Sequence, residues 1–180
     1  MSSVDVLLLD ASPFRGTADA PLPPPLASCW SAALALVPAA SRCVGLSHAG
    51  WRCVEALSAA PLPLPALVAA EMHPRFPQRK LCGLARRKGV GLLALSPLAP
   101  AADDAELAPL AAAAGVSPRA LLLRYSVQRG VAAAPAGAEG GDDGVFGFRM
   151  NYPTKTRVDA LAEAPKRYIA AAAGCAFADD

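Results

Sequence analysis

The sequence has few aromatic residues: they make up 6% of its 180 residues, whereas hydrophobic residues make up 54%. Alanine and leucine must therefore supply most of the apolar surface, and small side chains bury less area each. The length allows one domain with a sizeable core, although a weaker core than the hydrophobic fraction suggests. A charged fraction of 18% excludes a disordered polar chain, and a net charge of +2 argues neither for nor against an anionic partner.

The chain also lacks closely spaced cysteine pairs. The five cysteines form no CxxC motif, and they are Cys29, Cys43, Cys53, Cys82 and Cys175. Zinc sites draw their ligands from pairs at short spacing, so we expect no metal site. An odd number of scattered cysteines instead predicts reduced and mostly buried thiols, as in a cytoplasmic protein.

Several targeting and binding signals are missing as well. No uncharged stretch without proline reaches the roughly 20 residues that span a membrane. No basic segment of a signal peptide precedes the first apolar run. No G-x-G-x-x-G follows a predicted strand, which removes support for a Rossmann site, and no nucleic-acid-binding motif is present. We therefore expect a soluble cytoplasmic protein that binds neither membranes nor nucleic acids.

What the chain does contain is an alternation of short apolar runs and helical patterns. The predicted strands are Val4–Leu9, Cys43–Ser47, Leu67–Glu71, Val90–Leu95 and Val131–Ala134. The predicted helices lie near Ala27–Val37, Gly50–Ala59, Pro77–Lys88, Asp103–Ala114 and Pro118–Arg129. This alternation is typical of βαβ units and predicts a parallel sheet. The first run is almost unbroken, so we expect the strand at Val4–Leu9 to be buried on both faces.

Two of the predicted helices have clear ends. Ser117 suits the N-cap of the last helix, and Gly130 suits its C-terminal end. Its predicted apolar face comprises Ala120, Leu123 and Val127. Pro77 is predicted to open the middle helix, and Gly89 follows it. The predicted buried stripe of that helix comprises Leu81, Leu84 and Ala85.

Two features leave alternatives open. The cations Arg86–Lys88 suit either a bound phosphate or solvent at the negative end of a helix dipole. The proline-rich stretches Pro21–Leu26 and Ala60–Pro65 suit either polyproline II ligands or plain connections between strands and helices.

Five sequence blocks, taken in order, resemble the aldo-keto reductase family. Trp30 followed by SRCVGLS resembles the family's W…L…GKVRAIGVSN block, and EMHPRFPQRKL resembles its E-x-HP-x-x-x-Q-x-x-L. LLALSPLA resembles the family's AYSPLG. LLLRYSVQRGVAAAP resembles its LLRWALQRGVVVIPKS, and VFGF resembles its VFDF. The resemblance covers Val4 to Phe148. It implies an α/β fold: a partial (β/α)₈ TIM barrel corresponding to about strands four to eight, with outer helices around a parallel sheet.

The same resemblance implies how the chain is organised. Three strands and three helices are expected to precede Val4. Residues 1–150 are predicted to form the partial barrel domain, and residues 151–180 a divergent helical tail. Within the tail, residues 159–174 are predicted to form a helix that Pro165 interrupts.

The catalytic residues that the resemblance implies are not found in this chain. The family reduces aldehydes and ketones with NADPH, and the aspartate, tyrosine and lysine of its catalytic tetrad would lie before Val4. The fourth member, a histidine, falls on Asp10. An aspartate is anionic at neutral pH and cannot donate a proton to a carbonyl oxygen unless its pKa is strongly raised. His73 belongs to the family's HP pair and is predicted to be structural.

The cofactor positions that the resemblance implies are kept only in part. The residues that match are Ser47, His48 (where the family has asparagine), Ser96, Pro97 and Leu98. Ala69 stands where the family has glutamine, Leu95 where it stacks an aromatic ring on the nicotinamide, and Ala136-Gly137 where a Lys-Ser pair grips the adenosine phosphate. We therefore expect NADPH binding to be weak or lost.

Two functional hypotheses follow. The first is an NAD(P)H-dependent oxidoreductase of the aldo-keto reductase type, truncated and inactive as this chain, with a small carbonyl substrate if an N-terminal part completes it. The alternative is a non-enzymatic half-barrel that binds partners or serves as a scaffold. Open sheet edges at Val4–Leu9 and Val131–Ala134 would favour self-association in either case.

Overall fold

The computed structural model describes residues 3–13, 24–102, 104–135 and 144–169, in which strands and helices alternate. The elements are β1 Val4–Asp10, α1 Pro24–Leu34, β2 Ser41–Ser47, α2 Trp51–Ala59, β3 Leu67–Glu71, α3 Arg79–Lys88, β4 Gly91–Leu95, α4 Leu107–Ala113, α5 Pro118–Gln128, β5 Ala132–Ala134 and α6 Tyr152–Ala160. Short 3₁₀ turns lie at Ala99–Ala102 and Leu161–Glu163. The five predicted strands and five predicted helices are confirmed, with ends shifted by a few residues.

The five strands form one sheet in the order β1-β2-β3-β4-β5. β1 and β2 are parallel, with Val4 opposite Ser41 and Asp10 opposite Ser47. The pairs β2–β3 and β4–β5 are parallel as well. A parallel sheet in which each strand lies beside the one before it, with helices between strands, matches a part of a (β/α)₈ barrel.

The described residues divide into two compact units. The first comprises residues up to Ala70 together with Gln78–Leu92, and the second comprises Glu71–Pro77 and Leu93–Ile169. The predicted boundary at residue 150 stays a prediction.

In the first unit, α1 and α2 supply the large apolar side chains. Trp30 is fully buried, and its indole N–H donates to the carbonyl of Pro63 at 2.9 Å. Leu26, Val54 and Leu57 are also fully buried. A sequence poor in aromatic residues thus places one of its two tryptophans in the core, where its area counts most.

Close approach of β2 and β3 depends on Gly45. A Cβ built there would lie 2.4 Å from the carbonyl oxygen of Leu67, which no real contact allows. The glycine is needed for room between the strands.

The expectation that β1 is buried on both faces is wrong. Val4 is 51% exposed and Val6 is 39% exposed, while Leu7–Leu9 are half-buried. Within the described chain β1 pairs with β2 on one side and has no strand on the other. The apolar side chains of β1 therefore contact fewer neighbouring residues than its sequence suggests.

In the second unit, α4, α5 and α6 pack into one apolar cluster. Its buried members are Leu107, Leu110, Ala111, Leu121, Leu122, Tyr125, Met150, Val158 and Leu161. The predicted face of α5 is wrong in part, because Leu123 and Val127 are only half-buried. The helix packs on α4 and β5 as well as on the 3₁₀ turn at Ala99–Ala102, so its buried arc centres on a different side.

Helix ends follow the predicted turn chemistry in most cases. Ser117 Oγ accepts the N–H of Ala120 at 3.0 Å, and Gly130 adopts a positive φ of 77°, both as predicted. The stripe Leu81, Leu84 and Ala85 of α3 is buried, as predicted. That helix begins at Arg79 rather than Pro77, because Gln78 before it adopts a left-handed conformation.

The tail forms a helix at a different place from the predicted one. α6 begins at Tyr152, where Asn151 Oδ1 accepts the N–H of Thr154 at 2.9 Å, and ends at Ala160. Residues 164–169 are not helical, and residues 170–174 lie outside the described chain. The capping asparagine accounts for where this helix begins.

Four of the five cysteines lie in the described part of the chain. They form no disulfides, and Cys53 is buried whereas Cys29, Cys43 and Cys82 are half-buried, so the expectation of mostly buried thiols is wrong for these four. Ala60–Pro65 connects α2 to β3, and the described end of the other proline-rich stretch begins α1. None of the helices in this part of the chain has the length and hydropathy that crossing a bilayer needs.

Candidate functional site

The carboxyl end of β1 carries Asp10, the residue at the tetrad-histidine position of the resemblance. Its Oδ1 accepts the backbone N–H of Ser12 at 2.9 Å, and its Oδ2 accepts the Ser12 hydroxyl at 3.0 Å. The side chain is 53% exposed. Asp10 is therefore oriented by its own turn and remains open to solvent.

His48 lies next to Asp10 because adjacent parallel strands end together. Asp10 is opposite Ser47 in the register of β1 and β2, and His48 follows directly. His48 Nδ1 lies 3.2 Å from Asp10 Oδ1, and its ring is 40% exposed. Its backbone has a positive φ of 55°, and its N–H donates to the carbonyl of Ala69 at 2.8 Å. The structure thus brings two of the predicted site residues together.

The protonation state of Asp10 follows from these contacts. Partial burial acts to raise the pKa of its carboxyl, but the hydrogen bonds from Ser12 and the interaction with His48 hold the pKa below its ordinary value. Asp10 is therefore ionised at neutral pH and has no proton to donate. Its equivalence to the tetrad histidine stays a prediction.

Ser47 and Ala69 complete this part of the site at the ends of β2 and β3. Ser47 is half-buried, and its carbonyl accepts the N–H of Ala11 at 2.9 Å. Ala69 is fully buried and presents a methyl group where the resemblance implies an amide. Ala69 therefore offers no polar side-chain group at this position.

The second predicted segment, Ser96–Leu98, follows β4 in the other unit. Ser96 has a positive φ of 48°, and its carbonyl accepts the N–H of Ala99 at the start of the 3₁₀ turn. Pro97 is buried, and Leu98 packs against the apolar cluster of α4, α5 and α6. A left-handed serine is strained, and such strain is typical of turns with a binding role. The predicted positions Ala136-Gly137 lie outside the described residues.

A second polar cluster, which no sequence pattern indicated, lies around Glu71 at the end of β3. His73 is fully buried, as its predicted structural role implies, and its Nε2 lies 3.1 Å from Glu71 Oε1. Glu71 also contacts Arg167 through Nε at 3.3 Å and accepts the backbone N–H groups of Tyr168 and Ile169. The HP motif indicated the histidine, but no local pattern indicated its partners.

A cavity of about 400 Å³ lies near this cluster in the same unit. Its lining residues are Arg75, Asp104, Ala105, Glu106, Ala164, Pro165, Lys166 and Tyr168. Arg75 holds buried Asp104 through Nε and Nη2 at 2.7 and 2.9 Å, Glu106 at 2.6 Å, and the Leu161 carbonyl at 3.2 Å. These carboxylates raise the pKa of Arg75 further above its usual range. In the described chain, no three His, Cys, Asp or Glu side chains are placed to hold a metal ion.

No known sequence-family profile matches the chain. A D-galacturonate reductase of Hypocrea jecorina is 30% identical over 94 residues, which cover 50% of this chain and 30% of that protein. An aldo/keto reductase from Brucella melitensis superposes with a TM-score of 0.73 at 21% identity, over 88% of this chain and 61% of that one. An aldose reductase from Giardia lamblia superposes with a TM-score of 0.72 at 18% identity, over 81% of this chain and 53% of that one.

The chain therefore spans only part of the length of each of these proteins, from about a third to three fifths. Sequence motifs, the reductase relative and the two solved folds point in the same direction. The chain resembles aldo-keto reductases and has the α/β fold of a partial (β/α)₈ barrel.

Proposed function

We propose that this chain is an NADPH-linked, aldo-keto-reductase-like oxidoreductase polypeptide that does not reduce carbonyl compounds as it stands. The observation that carries the proposal is the ionised carboxylate of Asp10, held 3.2 Å from His48. Reduction by NADPH adds hydride to the carbonyl carbon and requires a proton at the oxygen. A carboxylate supplies no proton and repels the negative charge that develops on that oxygen, so Asp10 opposes the step.

The side chains fit a nicotinamide dinucleotide only in part. Ser47 and His48 offer polar groups, and Ser96–Leu98 offers a turn in the conformation described above. Ala69 and Leu95 offer neither an amide nor an aromatic ring. We expect a dissociation constant weaker than about 100 μM, which corresponds to less than about 5.5 kcal/mol of binding free energy.

The activity test measures NADPH oxidation by the full chain with aromatic and aliphatic aldehydes and with D-galacturonate. We expect no rate above the background without protein. The variant Asp10→His restores one group of the tetrad and should also remain inactive, because the resemblance places the other three before Val4. Turnover near about one per second, at the lower end of ordinary enzyme rates, would contradict the proposal.

The binding test is titration calorimetry of the same protein with NADPH. Weak or undetectable heat is expected. Low-micromolar affinity would contradict the weak-binding part of the proposal while leaving the absence of turnover as a separate result.

The exposed strand β1 favours a second candidate function, a half-barrel that associates with another copy of itself. Val4 and Val6 are exposed, and β1 has a strand on one side only in the described chain. Such an edge presents unpaired backbone groups and apolar side chains that can pair with another strand. The charged residues of β1 are Asp5 and Asp10, and β5 has none. Few charges are therefore present to discourage pairing.

Light scattering coupled to size-exclusion chromatography tests this candidate. We expect the unmodified chain to associate and Val6→Lys, on the edge strand, to reduce the associated fraction. Leu36→Lys is the matched control, because Leu36 is similarly exposed, at 43%, but lies outside the strands. A stable monomer, or an equal effect of both variants, would contradict pairing through β1.

A further inference from the structure

Residues 164–169 follow the last helical turn and have little regular structure of their own. Ala164 to Arg167 are exposed, and Tyr168 and Ile169 are only half-buried. The backbone N–H of Lys166 reaches the carbonyl of Arg75 at 3.3 Å. A segment with so little apolar burial needs specific polar contacts to hold one conformation.

One buried carboxylate provides those contacts. Glu71 Oε1 accepts the N–H groups of Tyr168 and Ile169, the latter at 3.1 Å, and Oε2 lies 3.3 Å from Nε of Arg167. Three consecutive residues of the segment therefore bond to a side chain that is only 3% exposed. A carboxylate has about four lone-pair positions, so this segment takes up most of its capacity.

Ring contacts support the same anchor. The Tyr168 ring lies edge-on to the ring of His73, with centroids 5.2 Å apart. The guanidinium of Arg167 lies 5.0 Å from the centroid of Phe76. Because His73 Nε2 faces an ionised carboxylate that can only accept, it donates to Glu71 and fixes the orientation of the ring on which Tyr168 rests.

We propose that Glu71 is an anchor that fastens residues 164–169 to the carboxyl end of β3 and thereby builds one wall of the cavity of about 400 Å³. Ala164, Pro165, Lys166 and Tyr168 line that cavity. When the carboxylate is neutralised, the segment detaches and this wall opens. The function is conformational and is independent of the proposed oxidoreductase chemistry.

The anchor is set to stay closed across neutral and mildly acidic pH. Burial acts to raise the pKa of Glu71, but hydrogen bonds from His73, Tyr168 and Ile169 hold it below its ordinary value. The groups that face the carboxylate are the Arg167 guanidinium, which carries a positive charge, and the His73 ring, which donates a hydrogen bond to it. Because the folded-state pKa is depressed, anchoring is complete above the ordinary pKa of 4.5 and is lost only as pH falls below it.

Amide hydrogen exchange of the full chain tests the anchor. In Glu71→Gln, which keeps the shape of the side chain and removes its charge, the amides of Tyr168 and Ile169 should exchange about tenfold faster than in the unmodified chain. The matched control is Glu163→Gln, the same chemical change at an exposed residue close to the segment. It should leave those two amides unchanged.

Amides in the middle of α5 serve as the internal reference. A rise at Tyr168 and Ile169 that exceeds the rise in α5 supports the anchor. An equal rise at both places, or no rise at Tyr168 and Ile169, overturns it. Limited trypsin digestion gives a second readout, since cleavage after Lys166 and Arg167 should be faster in Glu71→Gln than in Glu163→Gln; equal rates would contradict the proposal.

Discussion

Two acid–histidine pairs in this chain have nearly the same geometry and opposite surroundings. Asp10 and His48 lie 3.2 Å apart with side chains 53% and 40% exposed, whereas Glu71 and His73 lie 3.1 Å apart with side chains 3% and 0% exposed. Solvent screens the first pair, so it contributes at most about 1 kcal/mol to stability. The second pair cannot lose a partner without leaving a buried polar group unsatisfied. The first pair is therefore accessible to ligands, and the second holds structure.

The largest expected effect tests the buried pair through its histidine. His73→Ala should lower the free energy of unfolding by about 3–5 kcal/mol, because it leaves Glu71 short of a partner and opens a cavity. His48→Ala, the corresponding change in the exposed pair, should cost less than about 1 kcal/mol. Chemical denaturation of both variants provides the measurement. Similar losses in the two would show that burial does not distinguish the pairs.

A second comparison extends the same rule to two arginine–aspartate pairs. Arg75 bonds buried Asp104 through two nitrogens, whereas Arg42 and Asp5 pair with side chains 78% and 80% exposed. Arg75→Lys should cost about 1–2 kcal/mol, because lysine cannot reproduce a bidentate contact. Arg42→Lys should leave the denaturation midpoint unchanged. A measurable loss from Arg42→Lys as large as that from Arg75→Lys would refute the distinction.

Acid stability should separate the two carboxylates of the compared pairs. Both have a depressed pKa in the folded chain, so the unfolded chain binds more protons on acidification. The free energy of unfolding therefore decreases as the pH is lowered. The loss should begin only below the ordinary carboxyl pKa of about 4 and be absent between pH 5 and 7. Thermal unfolding followed from neutral pH to below the ordinary carboxyl pKa should show a flatter acid response in Glu71→Gln than in Asp10→Asn. The reverse order would mean that the exposed pair is the more strongly coupled to folding.

The smallest expected effect concerns Asp10 itself at neutral pH. Asp10→Asn keeps an acceptor for Ser12 and removes the charge beside His48. The free energy of unfolding should fall by less than about 1 kcal/mol, since both side chains are well exposed. Differential scanning calorimetry against the unmodified chain would detect a larger loss, which would place Asp10 among the structural carboxylates.

Local features of this molecule could be predicted from sequence, and contacts between distant residues could not. The N-cap at Ser117, the glycine at the end of α5 and the buried stripe of α3 depend on residues within one or two turns. The bonds from Glu71 join residues 96 to 98 positions apart, and Arg75 meets Asp104 across 29 positions. No periodicity records such contacts.

The candidate site divides in the same way. The motifs identified Asp10 and His48 as separate positions, and their contact follows from the register in which the two strands end. The exposure of Val4 and Val6 depends on which strands lie beside β1, and an apolar run looks the same with or without a neighbour. Motifs identified positions, whereas the electrostatic environment of those positions needed three-dimensional structure.

Gly45 limits which substitutions this fold accepts. The carbonyl oxygen that blocks a Cβ there belongs to the backbone of β3, so no rearrangement of a side chain can relieve the contact. In a saturation library, even alanine at this position should be depleted among folded variants, while neighbouring Val44 and Leu46 should accept other apolar side chains of similar volume. A deep mutational scan would therefore record the pairing of β2 and β3 as one column without substitutions, a signature by which the same strand pair could be recognised in sequences too divergent to align.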